Sequence, residues 1–128
     1  MELKLLKKGM IFNIYAIVLN NGTCPVEEFL EYLRIENQPS HKSFVNLLNR
    51  HADHGQLRNE RKSKVLKDRK NLLEFKTYQG DRIMYFYLPG NKTILTHGFH
   101  KGAPEAPEYK NAELMRDSYC KEIDDDKY

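Results

Sequence analysis

The chain has 128 residues, of which 40% are hydrophobic and 30% charged, and its formal net charge is +3 at pH 7. This length predicts a single domain over residues 1–128, and the composition excludes wholesale disorder. No apolar run approaches the roughly 18 to 20 residues that span a bilayer, and residues 1–9 lack the apolar segment of a signal peptide. We therefore expect a cytoplasmic protein with no membrane partner. Cys24 and Cys120 are too few for a disulfide framework, so we expect both thiols to be reduced.

The first half of the chain predicts one strand followed by two amphipathic helices. Residues 9–20 are rich in β-branched and aromatic side chains and stop at the turn sequence Asn20-Asn21-Gly22. Pro25 suits the first turn of a helix in which apolar residues recur with a helical period. Ser40 is a candidate N-cap for a second helix, which Gly55 can end in a left-handed conformation.

The second half predicts a three-stranded antiparallel meander followed by a helix. Residues 57–70 are highly charged and form either a loosely held helix or a loop. Residues 72–78, 82–88 and 93–99 then form three strands joined by tight turns. A helix follows over about residues 108–122, and the last residues, 123–128, are expected to fray. The predicted class is α+β, with a small antiparallel sheet of about four strands packed with two N-terminal helices and a C-terminal helix.

Positive charge is concentrated in the middle of the chain. Residues 57–101 carry 11 basic and 4 acidic side chains, whereas residues 102–128 carry 4 basic and 8 acidic ones. A basic middle segment is typical of proteins that bind polyanions, although a solvated helix face has the same composition. The candidate RNA-binding residues are Arg58, Arg61, Lys62, Lys64, Lys67 and His100.

Two pairs of histidines have the spacing of possible metal ligands. His51 and His54 lie three positions apart on the predicted second helix, but no third ligand is indicated, so we interpret them as helix-end histidines. His97 and His100 are also three apart, and on a strand this spacing places them on opposite faces. Neither a metal nor another cofactor is predicted, and no Gly-rich phosphate loop occurs.

A second group of side chains gathers at the strand ends and at the start of the last helix. Its members are Lys76, Arg82, His97, His100, Lys101 and Tyr109. Cleavage of RNA through its own 2′-hydroxyl needs a base, cations for the phosphate and an acid for the 5′-oxygen, and this route needs no metal. The group contains all three kinds of side chain. The alternative is that Tyr109 packs on the helix and that the cations are ordinary surface residues.

Three short motifs in this region resemble a known family. They are Leu73-x-Phe75-Lys76, Gly80-x-Arg82-Ile83-x-Tyr85 and Leu95-x-His97-Gly98-Phe99-x-Lys101, followed by Pro107 and a helix. In this order and spacing they resemble the core signature of the RelE/ParE toxin superfamily, in its phage-derived HigB-like group. The similarity spans about Phe12 to Tyr119.

This resemblance implies a RelE-like toxin of a type II toxin–antitoxin system that cleaves messenger RNA in the ribosomal A site. Its partner would be a helix-turn-helix antitoxin, and operator DNA would be contacted only through the antitoxin complex. By position, Arg82 matches the family's phosphate-binding arginine, Lys101 a basic residue at the end of the last strand, and Tyr109 a tyrosine early in the final helix.

The roles of these residues follow from their chemistry together with the resemblance. We assign Lys76 and Arg82 to the phosphate, and either Tyr109 or His97 to the proton of the 2′-hydroxyl. The ordinary pKa of an imidazole, about 6.5, suits a base better than that of a phenol, about 10. We expect Arg82 to be partly exposed, so that its loss changes stability by less than about 1 kcal/mol.

A different class of function also fits the sequence. The chain could be a gyrase-targeting ParE-like toxin, or a module with a decayed site that binds only nucleic acid or the antitoxin. Such a protein would not need the combination of Arg82, His97 and Tyr109, whose presence favours the nuclease.

Overall fold

A computed structural model describes residues 1–55, 63–66 and 69–126 of the chain. The elements in these ranges are, in order, β1 (Glu2–Lys8), β2 (Asn13–Val18), α1 (Pro25–Glu36), α2 (Gln38–His54), β3 (Ser63–Val65), β4 (Leu73–Lys76), β5 (Arg82–Leu88), β6 (Lys92–Phe99) and α3 (Glu105–Asp126). The predicted α+β class is confirmed. Among these elements, none of the helices is both long enough and apolar enough to cross a membrane.

The described strands form one mixed sheet in the order β1-β2-β6-β5-β4-β3. All neighbours are antiparallel except β2 and β6, which run parallel from Asn13 opposite Lys92 to Ala16 opposite Leu95. The predicted antiparallel sheet of about four strands was therefore wrong in strand number and in the direction of β2 against β6, whereas the other neighbouring pairs are antiparallel as predicted. The meander itself, β4-β5-β6, is confirmed, and β5 has the predicted bounds.

Helices cover both faces of the sheet, and the alternation of β5 decides which residues meet which helix. Ile83 and Tyr85 point into the main core, where α1 and α2 pack on the sheet. Met84 and Phe86 point to the opposite face, where α3 packs. Because successive side chains of a strand lie on opposite faces, a single strand supplies both cores.

Helix α1 lies very close to β6, and Gly98 makes this approach possible. A Cβ atom added at Gly98 would lie 2.0 Å from Cδ1 of Phe29, far inside van der Waals contact. Phe29 is itself almost fully buried and forms an edge contact with Phe44 of α2. The glycine therefore allows one aromatic ring to join α1, α2 and the sheet.

The structure corrects the predicted ends of two helices. Helix α2 begins at Gln38, because the side chain of Asn37 caps it by accepting a hydrogen bond from the backbone N–H of Ser40. Ser40 is thus inside the helix, and its buried hydroxyl donates to Asp81 over 2.6 Å. Helix α3 is longer than predicted, from Glu105 to Asp126, so residues 123–126 are helical rather than frayed.

Two other predictions fall partly or wholly outside the described residues. Of the charged segment 57–70, the structure describes residues 63–66 and 69–70, and Ser63–Val65 is a strand rather than part of a helix or loop. Residues 127–128 of the predicted frayed tail also lie outside the described ranges.

His51 lies in the last turn of α2, as predicted, and it is also a buried residue of the core. Its ring is fully buried, its Nε2 lies 2.8 Å from the Thr93 hydroxyl, and it stacks on Phe12 with ring centroids 4.7 Å apart. Burial lowers the pKa of His51 to about 4, because the charged imidazolium is disfavoured away from water. The histidine therefore stays neutral in the folded protein at neutral pH.

The buried His51 predicts a loss of stability in mild acid. Between its unfolded pKa, about 6.5, and its folded pKa, the unfolded chain takes up a proton that the folded protein does not. The free energy of unfolding should therefore fall as pH drops from about 6.5 to 4, by at most about 1.4 kcal/mol per pH unit from this residue. Urea unfolding across this range should show a shallower pH dependence for His51→Gln. The same pH dependence in His51→Gln and in the wild type would contradict the lowered pKa of His51.

Candidate active site

The register of three strands brings the candidate site residues to one face of the sheet. Lys76 of β4 lies opposite Arg82 of β5, and Arg82 lies opposite Phe99 of β6. Directly opposed residues of an antiparallel pair point to the same face. Glu74, two residues before Lys76, shares that face, which is the one covered by α3.

Arg82 is the centre of a cluster of polar side chains. Its Nη1 lies 2.7 Å from Oε1 of Glu105, 2.9 Å from the Tyr109 hydroxyl and 3.4 Å from Oε2 of Glu74. The guanidinium carbon also lies 5.7 Å from the centre of the Phe99 ring. Burial lowers the pKa of Arg82, but the neighbouring Glu74, Glu105 and Tyr109 raise it by more, so the guanidinium stays charged.

Tyr109 connects Arg82 to both carboxylates. Its oxygen accepts from Arg82, and its hydroxyl lies within reach of Glu74 at 3.1 Å and of Glu105 at 3.2 Å. One proton can satisfy only one of these carboxylates at a time. Burial and the charge of Glu74 raise the pKa of Tyr109 well above its ordinary value, so the phenol is held as a hydrogen-bond donor.

His97 lies on the same side of the sheet as Tyr109 but has a different carboxylate partner. Its Nε2 is 2.7 Å from Oε2 of Glu108 in the first turn of α3, and its ring neighbours Phe99. His100 lies against α1 instead, with its ring 5.0 Å from those of Phe29 and Tyr32. His97 thus contacts α3 and His100 contacts α1, on opposite sides as predicted, although β6 ends at Phe99 and His100 lies just after the strand.

Two lysines complete a cleft beside Arg82. The cleft has a volume of about 280 Å³, and Lys76, Arg82, His100, Lys101 and Glu105 are among the residues that line it. The stem of Lys101 crosses Gly80, where a Cβ atom would lie 2.8 Å from Cδ of the lysine. Gly80 also has a φ of +92°, which favours glycine. The turn between β4 and β5 thus positions one cation of the site.

The structure brings together most of the predicted catalytic residues. Lys76, Arg82 and Lys101 line one cleft, Tyr109 bonds to Arg82, and His97 lies beside the cluster with its own partner. The candidate RNA-binding residues are mostly not described. Arg58, Arg61, Lys62 and Lys67 lie outside the described residues, and Lys64 belongs to β3 but its side chain is not described.

Two acidic residues of the cluster, and a third that contacts His97 beside it, were missed from the sequence. Glu74 alternates with the apolar residues of β4 and so shares the face of Lys76, a signal that was available. Glu105 and Glu108 lie four and one positions before Tyr109, but they were assigned to a connector and a helix start. Within the described part of the chain, no group of three His, Cys, Asp or Glu side chains could hold a metal ion.

The fold and this cluster define a small α+β protein with an arginine–tyrosine–carboxylate group beside a basic cleft. Residues 30–115, about two thirds of the chain, match a family model described as Phage derived protein Gp49-like (DUF891). The chain belongs to this phage-derived family, which is related to RelE-like toxins. A comparison with curated proteins found no match.

The geometry of Arg82 predicts that its removal affects stability as well as any activity. Its side chain is only 16% exposed, and it is a cationic partner of Glu74, whose side chain is 3% exposed. Arg82→Ala should therefore lower the free energy of unfolding by about 2 kcal/mol, more than the sequence led us to expect. Urea unfolding measures this loss.

A double variant tests whether the uncompensated charge of Glu74 causes this loss of stability. Adding Glu74→Gln to Arg82→Ala removes the buried negative charge, so the double variant should lose less stability than the sum of the two single variants. Strict additivity would show that the two side chains do not interact.

Proposed function

We propose that the protein is the toxin of a type II toxin–antitoxin system, acting in the cytoplasm as a ribosome-dependent endoribonuclease that cleaves messenger RNA. The observation that carries this proposal is the position of Arg82, at a cleft that Lys76 and Lys101 also line and with the Tyr109 hydroxyl 2.9 Å away. Membership of a family related to RelE-like toxins supports the toxin assignment.

In this proposal Arg82 binds the scissile phosphate by exchanging one carboxylate for it. Glu105 is half exposed, so its contact with Arg82 can open towards water. Glu74 is buried and keeps the guanidinium oriented when Glu105 leaves. Lys76 and Lys101, from the two sides of the cleft, add positive charge that stabilises the extra negative charge of the transition state.

Tyr109 and His97 are assigned to the leaving 5′-oxygen and to the proton of the 2′-hydroxyl, respectively. The 2′-oxygen of the RNA attacks the phosphorus, the bond to the 5′-oxygen breaks, and a 2′,3′-cyclic phosphate and a 5′-hydroxyl result. Because its raised pKa keeps the phenol protonated, Tyr109 is suited to stabilise the leaving 5′-oxygen by donating a hydrogen bond, and poorly suited to take the proton of the 2′-hydroxyl. The 5′-oxygen then takes its proton from water. His97 is the candidate base for the 2′-hydroxyl, with Glu108 orienting its ring and stabilising the imidazolium.

This proposal predicts a graded loss of cleavage in three variants. Arg82→Ala should reduce the rate of cleavage of ribosome-bound message about a hundredfold, because a preorganised charge is lost. His97→Ala should cost about 10²- to 10⁴-fold if it is the base. Tyr109→Phe removes the donor and should also slow the reaction. The measurement is a primer-extension assay of message cut on purified ribosomes.

The same cleavage assay includes a control variant for folding and for charge. Arg82→Lys keeps a positive charge beside Glu74 and should remain folded, yet it loses the planar fork that fits a phosphate. Each variant is assayed below its own melting temperature. Wild-type activity in Arg82→Ala would overturn the proposed site, whereas a wild type that inhibits gyrase and leaves message intact would favour the ParE-like alternative.

The proposed partner is a helix-turn-helix antitoxin that neutralises the toxin and carries the contacts with operator DNA. A concentrated cationic cleft is complementary to an acidic protein segment. We therefore expect expression of this chain alone to arrest bacterial growth, and coexpression of the adjacent helix-turn-helix gene to restore it. The measurement is colony formation after induction, with Arg82→Ala as the inactive control. Normal growth at a verified expression level would contradict the toxin assignment.

A further inference from the structure

A second groove adjoins the proposed site and contains the most exposed aromatic ring among the described large hydrophobic residues. Tyr78, in the turn between β4 and β5, is 99% exposed. It lines a groove of about 520 Å³ between this turn and α2, together with Lys76 and Arg50. Tyr78 and Lys76 also line the cleft that contains Arg82. The two depressions are therefore adjacent and share this pair of residues.

The turn that carries Tyr78 is held by hydrogen bonds within the turn and by hydrogen bonds to α2. The backbone N–H of Thr77 donates to the carbonyl of Asp81 over 2.9 Å, and that of Gly80 donates back to Thr77 over 2.9 Å. The Ser40 hydroxyl of α2 donates to the Asp81 carboxylate and lies 3.1 Å from the Thr77 hydroxyl. A fully exposed ring thus stands on a backbone that is tied to α2.

The surroundings of the ring indicate the chemistry of its ligand. Arg50 and Lys76 supply positive charge, and the side chains of Asn46 and Asn49 supply amide donors and acceptors. Leu47, another lining residue, is only 4% exposed, so it adds little apolar surface. An exposed aromatic ring beside cations and amides is suited to a stacked base with a neighbouring phosphate. The volume is sufficient for a nucleotide.

We propose that this groove is a subsite for single-stranded RNA, in which a base stacks on Tyr78 and Arg50 contacts a phosphate next to the one held by Arg82. The subsite rests on the proposed function for the identity of its RNA, but it binds without catalysing any step. Its role is to hold the strand so that the reacting phosphate reaches Arg82 in the adjacent cleft.

Binding can be measured separately from cleavage with an oligonucleotide that cannot be cut. A fluorescent 2′-O-methyl RNA of roughly eight nucleotides lacks the attacking hydroxyl and falls within the usual length of single-strand sites. Its fluorescence anisotropy is titrated with the full chain at low salt. Tyr78→Ala should weaken binding about tenfold, because base stacking on an aromatic ring is lost. Tyr78→Phe keeps the stacking surface and should bind like the wild type.

Matched controls separate the groove from the rest of the surface. Met10 is 84% exposed and is not among the residues lining this groove, so Met10→Ala should not change binding. Arg50→Ala should lower the slope of log K against log salt by about 0.7, the loss of one phosphate contact to a single strand. Lys121→Ala removes one positive charge near the end of α3 and should leave that slope unchanged.

The outcomes distinguish this subsite from the proposed function. Equal binding by wild type and Tyr78→Ala, or no binding by the wild type at low salt, overturns the subsite even when message is cleaved on ribosomes. Conversely, weaker binding by Tyr78→Ala in a protein that cuts no message supports the subsite and contradicts the nuclease. Loss of binding in both Tyr78→Ala and Tyr78→Phe would also overturn stacking, because the ring is retained in the second variant.

Discussion

The cross-strand register of β4, β5 and β6 is the constraint on which the candidate site depends. It places Lys76, Arg82 and Phe99 in one row across the sheet, while their chain neighbours point into the opposite core. A shift of one residue in any of these strands would send the site residues under α1 and α2. The close contact of Gly98 with Phe29 and the buried bonds of the β4–β5 turn both hold this region in register. Stability of the core and geometry of the site are therefore set by the same strands.

Within this frame, the Arg82 cluster combines groups that are costly to bury separately. A carboxylate removed from water is strongly disfavoured unless it has partners, and Glu74 has both Arg82 and the Tyr109 hydroxyl. Such a cluster adds little net stability compared with an apolar core, so its presence is better explained by what a fixed guanidinium and phenol can do. The raised pKa of Tyr109 follows from the same arrangement, because the phenol shares its surroundings with negative charge. Such a phenol is suited to donate a hydrogen bond rather than to act as a base, a choice that the sequence had left open between Tyr109 and His97.

The sequence was informative where local patterns decide structure and uninformative where distant segments meet. The aromatic run of β5 and the proline and apolar period of α1 predicted both elements well. Strand β1 was missed because its lysines hide the apolar alternation, as is common in edge strands. The parallel pairing of β2 with β6 depends on a long connection whose path no local signal records. Ser40 was predicted to be an N-cap, but Asn37 caps the helix instead. The Ser40 hydroxyl is therefore available to donate a hydrogen bond to Asp81 in the β4–β5 turn.

The acidic first turn of α3 bears directly on the proposed binding of RNA. Glu105 and Glu108 suit the positive end of the helix dipole, and each also contacts a candidate catalytic side chain, Arg82 or His97. In the free protein these carboxylates offset much of the positive charge that a phosphate would meet. In the proposed function, an RNA phosphate would have to exchange with Glu105, which would make its contact with Arg82 weaker than the bare charge of an arginine implies. In the proposed complex with RNA, the groove around Tyr78 and Arg50 is then a further source of affinity beside Lys76 and Lys101 of the cleft.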